Sequence, residues 1–125
     1  MKLRLFVAGV LGLVVIVGAI VFVSSGSANA GQAAQTLTVK MADLSFGPDT
    51  ITLKAGQPVT IELENDDSMV HAFSIDTLNV QSDVIGAHQA SSVTFTPAQA
   101  GTYQFYCPMP GHVEYGMIGT LQVVS

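Results

Sequence analysis

At 125 residues the chain has room for one domain, and its formal net charge of −5 argues against nucleic acid or anionic lipid as a partner. The apolar share of 49% is raised by the first quarter of the chain, which has to be set aside before the folded part is read. A single cysteine excludes an internal disulfide.

Residues 1–23 carry Lys2 and Arg4, then the uncharged run Leu5 to Val23, 19 residues long. A secretory signal has an apolar core of about 7–15 residues, whereas a bilayer span needs about 17–25. The run has anchor length, yet Ala28-Asn29-Ala30 has the small-x-small form that signal peptidase cuts. Two readings of residues 1–23 therefore stay open, a transmembrane anchor and a cleaved signal peptide. Both export the remainder to the periplasm or the extracytoplasmic face, because cations ahead of an apolar segment stay in the cytoplasm. The exported part keeps Lys40 and Lys54 against nine acids, a net of −7. That charge suits redox protein partners with a basic docking face, and plain solubility explains it equally well.

Residues 24–35, rich in Ser, Ala, Gly and Gln, read as a flexible linker. The domain then runs over residues 36–125. Leu37, Val39 and Met41 alternate with polar residues, and the Phe46-Gly47-Pro48-Asp49 cluster is expected to end that run. Ile51 and Leu53 mark a second strand, Ala55 to Pro58 a turn, and Val59, Ile61 and Leu63 the dry face of a third. A polar loop, Asn65 to Ser68, leads into an expected strand Val70 to Ile75, with His71, Phe73 and Ile75 facing inward. Asp76 to Ser91 reads as a crossing between sheets with a short helical turn. Val93 and Phe95 mark a strand stopped by Pro97, and Thr102 to Cys107 another, with Tyr103, Phe105 and Cys107 on one face. Met117 to Val124 is the last. About seven short strands and no second domain or internal repeat predict an all-β, antiparallel Greek-key sandwich behind an N-terminal hydrophobic helix.

Cys107, His112 and Met117 lie five residues apart on one loop, and His71 sits at the inward end of its strand. A thiolate, two imidazoles and a weak thioether form the donor set of a blue-copper electron-transfer site. Taken singly, each of these residues is more simply a packed or solvated side chain; order and shared facing favour the metal. A bare thiol outside the cytoplasm also invites oxidation unless something occupies it. Zinc is the competing ion, but a catalytic zinc needs an open position and a general base, and Met117 takes the fourth direction. His88 reads as an ordinary loop histidine, and Met109 as a surface residue.

The spacing Cys107-x₄-His112-x₄-Met117 with His71 upstream, flanked by Ala100 to Cys107 and Gly116 to Leu121, resembles the mononuclear type 1 (blue) copper proteins of the cupredoxin family. The gap after Cys107 is similar to that of its auracyanin and rusticyanin members, and longer than in the plastocyanin-like ones. The resemblance implies one copper ion with His71, Cys107 and His112 equatorial and Met117 axial. It also implies a non-enzymatic carrier shuttling single electrons between membrane-associated redox complexes, and a monomeric domain. A copper delivery or storage module is the alternative. Backbone N–H groups of Ala72 and Met109 are expected to reach the Cys107 sulfur, although Ala72 stands where many relatives have Asn. Tyr106 is expected to present a lateral docking face, and Pro108, Met109, Pro110 and Val113 a collar round His112.

Overall fold

The computed structural model describes residues 34–125, so the expected anchor or signal and its helix lie outside the described residues, as does nearly all of the linker. Strand β1 (Gln35–Ala42) begins one residue inside that linker. Then follow β2 (Ser45–Gly47), β3 (Thr50–Lys54), β4 (Val59–Asn65), β5 (Ser74–Ile75), a 3₁₀ turn (Asp76–Leu78), β6 (Val80–Gln81), β7 (Ala90–Phe95), β8 (Gly101–Tyr106) and β9 (Ile118–Val124). One sheet has the order β2-β1-β4-β7 and the other β3-β9-β8-β5-β6. This is the all-β Greek-key sandwich expected from the alternation. Two pairings inside it, β1 with β4 and β3 with β9, are parallel, because the chain changes sheets between β2 and β3 and again between β3 and β4.

Period-two alternation holds where one face of a strand meets water. In β4, Val59, Ile61 and Leu63 are buried while Glu62 is exposed, and in β9 Gly119, Leu121 and Val123 are buried. Each such apolar side chain, moved out of water, stabilises by about 1.5–3 kcal/mol. At the centre, Phe73 stacks on Phe105 with centroids 5.1 Å apart, and Phe46 meets both edge-on at 5.9 and 5.1 Å. Phe73 lies two residues after His71 and Phe105 two before Cys107, so the stacked pair adjoins both residues and forms the floor of the prospective metal site.

Three local expectations need correction. The Phe46 cluster does not simply end β1. Asp43 and Leu44 adopt positive φ (51° and 55°) and fold β2 back on β1, which buries Phe46. That is the mirror-image turn whose twist matches a hairpin, here made without glycine. Val70 to Ile75 is not one alternating strand either. His71 makes an isolated bridge to Ile85, regular pairing begins only at Ser74, and all five residues from His71 to Ile75 are buried. The Ser82–Ile85 segment covers one side of this stretch, with Ser82 N–H donating to Phe73 O and Ser82 Oγ accepting from Phe73 N–H, while Cys107 lies on the other. Met109, expected at the surface, is half-buried and packs against the core.

Candidate metal centre

Cys107 stands one residue past the end of β8, where Pro108 cannot donate to a ladder. The segment from Cys107 to Met117 closes on itself. Cys107 N–H donates to Met117 O at 3.2 Å, Met117 N–H to His112 O at 3.0 Å, and His112 N–H to Met109 O at 3.1 Å. Gly111 (φ 83°) and Gly116 (φ 93°) supply backbone conformations that residues with a Cβ resist. Three of the residues singled out in the sequence are thereby tied to one another through their own main chain.

His71 comes from the facing segment. Its N–H and carbonyl exchange bonds with Ile85 at 3.1 and 2.7 Å, which fixes the ring's origin. The side chains then converge: His71 Nδ1 is 3.2 Å from His112 Nδ1, Cys107 Sγ is 3.3 Å from His112 Nδ1, and Cys107 Sγ is 3.9 Å from His71 Nδ1. Donors sharing one ion through bonds of about 2.0–2.3 Å stand at about these separations, so the set fits a single metal. His71, Cys107 and Met117 are fully buried, and only His112 reaches solvent, in part. Burial, reinforced by the neighbouring His71, holds His112 below the usual imidazole range. That shift, opposed in part by Asp67, favours the neutral ring, the form that binds metal.

Of the two expected donors to the sulfur, Ala72 N–H is in place at 3.5 Å, and none is recorded from Met109 among the described residues. Met109 instead uses its carbonyl to cap His112. His88 is exposed and stands apart from the cluster, as read. Tyr106, expected as a docking face, is half-buried with its hydroxyl donating to both Asp76 oxygens at 2.8 and 2.9 Å. That bond raises its pKa above the ordinary tyrosine value.

Two residues of the polar loop were missed. Asn65 is buried, and its amide donates to the carbonyls of Met69, Ile85 and Gly86, stitching the His71 segment to its cover. Its odd number, continuing Val59, Ile61 and Leu63, was the available signal. Asp67 Oδ2 lies 3.1 Å from His71 Nε2, and nothing in the run Asn65 to Ser68 showed which acid turns inward. The His71 hydrogen bond, with backbone N–H groups of Ser68 and Met69, holds the Asp67 carboxyl below its usual range.

The sequence model of the family described as cupredoxin-like domain matches residues 13–121. This chain belongs to that family. Among relatives, this cupredoxin is 27% identical over 115 residues to the copper-resistant cuproprotein CopI of Rubrivivax gelatinosus, covering 76% of this chain and 70% of that one. Among solved structures, auracyanin B superposes with a TM-score of 0.67 at 26% identity, over 73% of this chain and 89% of its own. The dithionite-reduced auracyanin of Roseiflexus castenholzii gives a TM-score of 0.68 at 21% identity, over 74% and 99%, which speaks for the fold. Family membership and the converging donors agree on a site for one copper ion.

Proposed function

We propose that this cupredoxin is an exported electron carrier shuttling between membrane-associated redox complexes, in which His71, Cys107 and His112, with Met117, would hold one copper ion. The observation that carries the reading is the convergence of two imidazoles and one thiolate to mutual distances of 3.2 to 3.9 Å at one pole of the sandwich. Copper held there supplies a one-electron Cu(II)/Cu(I) couple. The protein's part is to keep the donors in one arrangement through both states. His71 and Cys107 lie two residues from the stacked Phe73 and Phe105, and the backbone bonds of their segments leave them little room to relax.

His112 is the one donor near the surface, and exposed apolar groups stand beside the donors in sequence. Val113 is 38% exposed, Met69 40% and Val70 47%. This patch is the proposed docking face, and the acidic surface beyond it favours a basic partner. The Lys2, Arg4 and Leu5 to Val23 pattern supports export. A second reading, copper handling in metal resistance, is favoured by the relative named as a copper-resistant cuproprotein.

Loading the purified chain with Cu(II) and recording visible and electron paramagnetic resonance spectra tests the site. Strong thiolate-to-copper absorption is expected, and its absence would overturn the proposal. Val113→Glu should leave that spectrum intact and slow electron exchange with a redox partner, because a carboxylate must be stripped of water in an apolar contact; the slowing should be smaller at low salt, where the added charge attracts a basic partner. Val113 is chosen because the half-buried Met109 would disturb packing. A resistance protein would instead give up its copper readily to a competing acceptor, whereas a carrier retains it.

A further inference from the structure

We infer that Asp67 is a positioning residue of the copper site, holding the His71 ring through Nε2 and placing behind it a negative charge, paired with no lysine or arginine among the described residues, that favours Cu(II). The inference rests on the copper reading above and goes beyond it, since Asp67 was part of no ligand set.

A carboxylate oxygen 3.1 Å from Nε2 can only accept, so Nε2 carries the proton. In the neutral ring the lone pair then sits on Nδ1, the nitrogen facing Cys107 and His112. One hydrogen bond therefore sets both tautomer and orientation, as carboxylates do behind metal-bound histidines. The carboxylate is itself immobilised. Oδ2 also accepts from Asp43 N–H at 3.1 Å, Oδ1 accepts from Ser68 N–H at 2.7 Å, and Asp67 N–H donates to Asn65 Oδ1 at 2.9 Å. Asp43 is the first residue of the β1–β2 turn, so the strained hairpin and the His71 loop are joined at this one side chain. Its side chain is only 14% exposed, and among the described residues Lys40 pairs with Glu64 and Asp66, leaving Asp67 without a lysine or arginine. A fixed anion behind a ligand stabilises the more positive metal state, so it lowers the reduction potential and raises Cu(II) affinity.

The test compares the intact protein with Asp67→Asn, which keeps an acceptor and removes the charge, and Asp67→Ala, which removes both. Two readouts apply: the copper reduction potential, and the His71 tautomer in the metal-free protein by nitrogen-15 NMR. The expected result is a higher potential in both variants, by about 59 mV for each tenfold shift toward Cu(I). Asp67→Ala should in addition weaken Cu(II) binding roughly 10- to 100-fold and lose the pure Nε2–H tautomer. Unchanged potentials in both variants, or an Nδ1–H tautomer in the metal-free parent, would overturn the inference even where the copper spectrum is blue. A parent that binds no copper sinks the copper reading and this inference together. Asp67→Asn alone decides the matter if Asp67→Ala fails to fold.

Discussion

Phe105 faces Gly119 across the β8–β9 ladder, and that pairing is a steric requirement. A Cβ placed on Gly119 would overlap the edge of the Phe105 ring, which is wholly buried and already stacked on Phe73. The ring has no free volume into which to retreat, because Phe46 closes it from the side. Gly119→Ala should therefore cost at least the 1–3 kcal/mol or so typical of overpacked cores, read as a lower denaturant midpoint. Since Phe105 lies two residues before Cys107, the same change should also alter the copper spectrum. A stable variant with a normal spectrum would show that the aromatic floor does not set the sulfur's position.

At the scale of elements, the site is made by two segments that are mostly loop, and their hydrogen bonds replace those of a sheet. The Cys107 to Met117 segment is closed by its own main chain, whereas the His71 segment depends on Asn65. Removing that amide leaves the buried Ile85 carbonyl short of one donor and frees the Met69 and Gly86 carbonyls as well. Asn65→Ala should destabilise by about 2–3 kcal/mol in denaturant titration, and Asn65→Asp by at least as much, because a carboxylate has no proton to offer three carbonyls. Hydrogen exchange should quicken at His71 and Ile85 before it does in β4. These positions also mark where reading by element failed. A strand was expected over Val70 to Ile75, but both faces of that stretch are covered, so alternation has no wet side to reveal it.

For the whole molecule, the core is made mostly of apolar side chains from both sheets, whose removal from water needs no ion, and the donors sit at one end of it. The metal-free protein should accordingly be folded, with copper adding stability by mass action, about 2.7 kcal/mol at a free concentration 100 times the dissociation constant. Cys107→Ser should keep the metal-free melting temperature near that of the parent and lose most of the copper-dependent gain. A metal-free chain that is unfolded would place the metal among the causes of the fold.

The sequence by itself determined the donor types, their order and the inward parity of Phe105, Cys107, Leu121 and Val123. Spacing along a strand or a short loop is a local property, and side-chain chemistry needs no fold to be known. Only the tertiary structure decided the parallel pairings, the burial of Ala72 and Ser74, the tie between Tyr106 and Asp76, and which carboxylate stands behind His71. Each of those depends on where a loop from another part of the chain comes to rest, and such contacts between distant residues leave no period in the sequence.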